Sequence, residues 1–417
     1  MVDYPGAASP PFRLSMLIYD RRYRSLTIQA VVFILVMLLA SWLIDNTLRN
    51  LASIGKTLSF DFLFRRAGYD IPQQLIPYNS DDTHLRAAVV GLLNTLQVSI
   101  LGCISATVVG VMVGVLRLSS NWLIARLMTV YVEVFRNIPL LLWILVILAI
   151  FTEIMPPPNA YRGENPAAEM VFFDMIAPTN RYTAVPSLGM TNPPGVIAIG
   201  REGISWALVA YVVVLALALT GRHFLRKRAK RIQDSTGRRP TTWWITLAMF
   251  LLPLLLLTWH FGLHLIPPVL RGFNFAEGTN LDNAFVVLWL ALTLYTGAFI
   301  AEIVRGGILA VSRGQTEAAF ALGLRPGRTM ALVVLPQALR VIVPPLISQY
   351  LNLTKNSSLA IAVGFMDLRG TLGGTTLNQT GREMECMILM MGVYLLLCLI
   401  ISGGMNVFNS RVKLKER

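Results

Sequence analysis

Ser312-Arg-Gly-Gln315-Thr316-Glu317-Ala318-Ala319-Phe-Ala-Leu322-Gly323-Leu-Arg-Pro326, running on to Val333 and Leu335-Pro336, is a polar interruption between two apolar runs near 284–304 and 331–351. Its residues spell a short helix with sharp ends. Ser312 and Gln315 have the spacing of a capping box, in which side chains satisfy the free N–H groups of a first helical turn. Thr316 to Leu322 are mostly good helix formers. Gly323 can take the left-handed conformation that ends a helix, and Pro326 suits the first position of the next one. An element of this kind at a membrane surface is either a rigid lever or an ordinary amphipathic turn.

The rest of the chain is built for lipid. Of 417 residues, 55% are hydrophobic and only 14% charged, against about 25% charged in soluble domains, and the mean hydropathy is +0.60. Leu26 to Ile44 carry no charge, and about 20 such residues span a bilayer. That stretch is too long for a signal-peptide core and reads as a retained first span. Apolar runs near 26–44, 88–116, 138–155, 203–221, 243–266, 284–304, 331–351 and 387–408 predict an all-α polytopic membrane protein with about eight transmembrane helices.

Charge gives the orientation. With the N-terminus in the cytoplasm, the loops on that side hold 23 basic and 6 acidic residues, and those on the other side 12 and 14. Excess base marks the cytoplasmic face, so both termini are expected there. The net charge of +14 is thereby a topology signal, with Arg222 to Arg239 its densest run, and nucleic acid is not an expected partner. Long external segments near 45–87 and 156–202 follow, the second rich in proline. Within the second span Gly102, Ala106, Gly110 and Gly114 recur every four residues, a stripe that lets another helix approach closely, in this subunit or a partner.

Catalytic chemistry is not indicated. Asn50 to Thr57 imitates a phosphate-binding loop but has Asn in place of its first Gly and no strand before it. His260 and His264 lie four apart with no third ligand evident. Cys103, Cys386 and Cys398 are odd in number and suggest no disulfide framework. No cofactor, metal site or catalytic residue is expected.

The spacing of the opening segment is specific. Glu317-Ala318-Ala319, Gly323, Val333 and Leu335-Pro336 resemble the EAA signature of binding-protein-dependent ABC importer permeases, with Val333 as a conservative departure from Ile. Gly91 to Ser99, Tyr131 to Leu141, Ala301 to Ile308 and Lys355 to Leu359 resemble the conserved core of polar amino-acid permeases. The enlarged layout is similar to the longer permease of the general L-amino-acid importers of Gram-negative bacteria. The resemblance implies a type I ABC importer permease core with extra helices, in a bacterial inner membrane. It implies that 1–87 hold the extra first span, 88–156 and 284–417 the two parts of the core, and 157–283 an insertion with two spans. It implies three protein partners: a cytoplasmic ATP-binding subunit dimer, a second permease subunit in a heterodimer, and a periplasmic amino-acid-binding protein. Glu317, Ala318, Ala319, Gly323 and Pro336 would couple to the ATPase, with Pro336 fixing where the following helix begins. For the cargo, an amino acid calls for a buried cation, an acid and polar groups. Glu302, Lys355, Asn94, Gln97 and Tyr295 are the candidates. The competing expectation is an ion-coupled secondary transporter, which would call for internal repeats and midplane acids; neither is evident.

Overall fold

A computed structural model describes residues 15–163, 166–199, 202–238 and 240–412. The chain divides into two compact units, Met1–Phe62 and Leu63–Arg417. The first unit contains one long helix, α1 (Arg21–Ser53), whose apolar window is buried by nothing in the chain.

In the second unit the membrane helices are α2 (His84–Leu116), α3 (Trp122–Asn137), α4 (Leu140–Ala149), α5 (Trp206–Thr236), α6 (Trp243–Phe261) and α7 (Asn283–Leu309). They continue with the short α8 (Arg313–Ala321), then α9 (Leu335–Asn356) and α10 (Glu383–Val412). Among the described residues seven helices are long and apolar enough to cross a membrane, or eight if α3 and α4 count as one bent span. The expected third span at 138–155 is therefore corrected. Ile138 precedes Pro139, and a residue before proline is pushed out of the helical region. Ile138 is accordingly extended (φ −107°, ψ 134°), and the chain bends by 107° from α3 into α4. Phe135 stacks on Trp143 across the corner, ring centroids 4.1 Å apart.

The core forms around α7. Val287, Leu288, Ala291, Leu292 and Ile300 are fully buried there, between α2, α3, α4 and α9. Lipid is as apolar as leucine, so such packing depends on close fit rather than escape from water. The four-residue stripe on α2 supplies that fit inside the subunit. A methyl group on Gly110 would lie 2.6 Å from Ile300 Cβ, one on Gly114 2.7 Å from the Ala301 carbonyl oxygen, and one on Gly102 3.2 Å from Leu353. In contrast α5 and α6 pack on each other and are otherwise largely uncovered. The basic run continues α5 as helix to Thr236, where Gly237 ends it at φ +71°. At 31 residues α5 is about 46 Å long at 1.5 Å per residue, well beyond the apolar layer.

The all-α membrane part carries a small β cap that the proline-rich composition hid. Strands β1 (Ala177–Pro178), β2 (Tyr182–Val185), β3 (Ser187–Met190), β4 (Val196–Ile199) and β5 (Glu202–Ser205) precede α5. Strands β6 (Leu263–Ile266), β7 (Val269–Arg271), β8 (Asn274–Ala276) and β9 (Thr279–Asp282) follow α6. All pairings are antiparallel, and β2–β9 and β3–β6 join the strands before α5 to those after α6. The sheet feeds straight into the core helix. Asp282 caps α7 by accepting the Ala284 N–H at 3.0 Å, and buried Asn283 donates to the Thr179 carbonyl at 2.7 Å.

Between α9 and α10 a buried knot forms around Asp367. Its carboxylate accepts from the Gly370 N–H (2.8 Å) and the Tyr394 hydroxyl (3.1 Å). Burial raises this carboxyl from 3.8 to about 6, against the lowering effect of those bonds. Since the folded value lies above the unfolded one, this group's contribution to stability is greatest below pH 3.8, falls as pH rises through about 6, and is then constant. Asp367→Asn removes the penalty. At pH 7.5 it should be more stable than wild type by on the order of 3 kcal/mol, read as a higher melting temperature in detergent, and the gain should vanish near pH 4.

Candidate functional site

The opening segment folds as a helix that turns its polar side outward. Gly323 lies at φ +75°, its N–H donating to the Phe320 carbonyl at 2.9 Å while the Leu324 N–H donates to Ala319 at 3.1 Å. This is the Schellman pattern that stops a helix, and it needs a residue at ease with positive φ. The start differs from expectation. Ser312 is extended but makes no side-chain cap bond; Gln315 instead accepts from the Gln337 amide at 3.4 Å. Glu317, Ala318 and Leu322 are exposed, and Phe320 is 47% exposed. Ala319 is only 4% exposed, so it faces its own chain, whereas Ala318 faces outward.

Pro336 is also placed differently. A helical path already runs from Pro326, passes through a π turn at Met330–Val334 and enters α9 at Leu335. Proline lacks the N–H that the preceding turn would use. The wider π register absorbs that gap, with Leu335 donating to the Met330 carbonyl. Pro336 therefore marks a change of helical register inside one continuous span rather than the start of a helix.

The five cargo candidates do not converge on one site. Asn94 and Gln97 meet at Gln73. The Asn94 amide donates to the carbonyls of Gln73 (2.8 Å) and Met366 (2.9 Å), and Gln73 donates to Gln97 at 3.2 Å. Asn94 thus ties the 63–83 loop to the Asp367 knot. Lys355 is exposed near the end of α9, and its ammonium forms no ion pair among the described residues. Tyr295 is half-buried against Phe299, centroids 5.0 Å apart.

Glu302 sits apart from all of these, in an ion cluster where α2 and α7 end. One carboxylate oxygen accepts from Arg305 at 2.7 Å and the other from Arg117, with Arg136 of α3 at 3.9 Å. The cluster joins α2, α3 and α7. The guanidinium of Arg136 also lies over the Phe299 ring, 5.4 Å from its centroid. Beside it opens a cavity of about 620 Å³ walled by Arg136, Phe299, Glu302 and Ile303, and by Pro344, Pro345, Ser348 and Gln349 of α9. Reading the sequence by spans missed Arg117 and Arg136 as partners of Glu302, because both fall in a loop by charge count. The signal that exposes them is one acid near a span end with three arginines bounding the neighbouring spans.

Residues 106–414 match the model of the binding-protein-dependent transport system inner membrane component family. The glutamate/glutamine/aspartate/asparagine transport system permease protein BztB of Rhodobacter capsulatus is 57% identical over 423 residues, covering 99% of both chains. The general L-amino acid transport system permease protein AapQ of Rhizobium johnstonii is 43% identical, over 97% of this chain and 96% of its own. A putative amino-acid ABC transporter permease of Escherichia coli, YhdX, is 41% identical over 94% and 95%.

Proposed function

Because the chain belongs to the family of binding-protein-dependent inner-membrane transport components and is a permease subunit of an ATP-binding-cassette importer, we propose that it is the longer permease of a system for polar L-amino acids. The relatives support that cargo class, since their names specify glutamate, glutamine, aspartate, asparagine or L-amino acids in general. The ion-coupled alternative has no support among them. The single observation that carries the coupling is α8 with its Schellman stop. It is a short, rigid and outward-facing helix that follows directly from the end of the core helix α7.

In this reading both termini and α8 lie in the cytoplasm, as the charge count requires, and the β cap faces the periplasm. A dimer of ATP-binding subunits grips α8 through Glu317, Ala318 and the exposed Phe320 and Leu322. A periplasmic binding protein delivers the amino acid to the opposite face, and a second permease completes a heterodimer. Gly323 holds the lever to one length, and the π turn before Pro336 passes its movement into α9. ATP-driven closure works only by favouring one access state over the other. Segments 88–156 and 284–417 carry this machinery, and 157–283 is an insertion upon it.

Proteoliposomes holding the whole transporter test the reading. Labelled glutamate or glutamine should move only when both ATP and binding protein are supplied. Transport that continues without ATP and collapses with an ionophore would return the ion-coupled alternative.

A further inference from the structure

We propose that the cavity between α3, α7 and α9 is an amino-acid binding station on the exit side of the pathway, with Arg136 as the group that takes the cargo carboxylate. The inference rests on the amino-acid permease reading above and on the cytoplasmic placement of α8. It concerns a place that none of Asn94, Gln97 or Lys355 reaches.

The volume is right for a small solute. About 620 Å³ lies within the ~300–1,000 Å³ range of ligand pockets. The charge is right for a carboxylate. Three arginines surround Glu302, with Glu133 also acting on Arg305, and Glu302 already uses both oxygens on Arg305 and Arg117. Arg136, at 3.9 Å, is beyond hydrogen-bond reach, and its Nε is buried without a hydrogen-bond partner. A guanidinium beside an aromatic ring, with a donor its neighbours leave unused, is suited to capture of a planar carboxylate. Phe299 supplies that ring.

The opposite wall suits the ammonium. Pro344 and Pro345 lie inside α9 and have no N–H to give, so the carbonyls of Arg340 and Val341, four residues before them, lose their usual helical donors. Carbonyls freed from a helix attract cations, and these two lie one turn before the prolines that line the cavity. Glu302, on the α7 wall beside Arg136, adds negative potential to the cavity. Ser348 and Gln349, one turn further along α9, offer neutral donors and acceptors to a carboxamide or second carboxylate. Carboxylate, ammonium and polar side chain thereby each have a counterpart.

The test is equilibrium binding of labelled L-glutamine and L-glutamate to the whole transporter in nanodiscs, without binding protein. Wild type should bind both. Arg136→Gln should weaken binding at least tenfold, and Ser348→Ala with Gln349→Ala, outside the ion cluster, should weaken it severalfold with no loss of folded complex. Decarboxylated glutamine should fail to compete. Binding untouched by either variant, or lost only with Lys355→Met, overturns the station. Competition by sulfate as effective as by glutamine reduces it to an anion site and overturns the amino-acid assignment. Wild-type transport measured alongside separates the two levels. If ATP-driven uptake stands while Arg136→Gln binds normally, only the station falls; if no amino acid is taken up at all, the permease reading falls with it.

Discussion

Under the coupling proposed for α8, Glu317→Lys should abolish ATP-driven uptake while the protein still folds and reaches the membrane. The local cost is small, because Glu317 is exposed on α8 and lysine is as good a helix former as glutamate. The helix keeps its Schellman stop at Gly323, which does not involve the substituted side chain. The effect falls on the docked complex, where reversing a contact charge costs several kcal/mol, and about 1.4 kcal/mol is already tenfold. Uptake should therefore drop a hundredfold or more. Melting temperature and membrane abundance should match wild type, and co-purification of the ATP-binding subunits should be lost in parallel. Glu317→Gln, which removes the charge without reversing it, should fall between. Normal uptake by Glu317→Lys would show that the exposed side of α8 is not the gripped surface.

Gly110→Val should act on the other quantity, stability. A side chain there meets Ile300 Cβ at 2.6 Å and the Gly297 carbonyl oxygen at 2.9 Å. One of these is backbone of the central helix, so no rotamer change relieves the clash. Either α2 and α7 separate or α7 bends, and overpacking of this kind costs about 1–3 kcal/mol even where some relaxation is available. Two added methyl groups place this variant at the upper end. The folded yield in detergent should fall severalfold, with a clear drop in melting temperature. Gly306→Ala on α7 is the control, since nothing lies within 4 Å of an added methyl. Equal loss in both would mean that the stripe on α2 is incidental.

What could be read from the residues depended on how local the cause was. Spans were legible because a bilayer demands about 20 apolar residues in a row, and the stop at Gly323 was legible because positive φ selects glycine. The corner at Ile138 was present in the sequence as a residue before proline. It was lost because an apolar run was traced past a boundary that the backbone respects. The capping box failed for a different reason. Gln315 found Gln337 across the turn, a tertiary partner that no spacing announces. The β cap escaped because strands of two to four residues among prolines leave too few positions to show alternation. Arg117 and Arg136 were counted as loop charge, and only the packing of α2 and α3 on α7 brings them to Glu302.

The corner between α3 and α4 has a mechanical meaning. Its arms have 16 and 10 residues, the second extended by a five-residue π turn, so they are nearly equal, at about 22–24 Å each by helical rise. At 107° with stacked rings bracing the inner angle, they form a bell crank. In such a geometry a shift along the first arm, where Arg136 pairs with Glu302, would emerge nearly at right angles along the second.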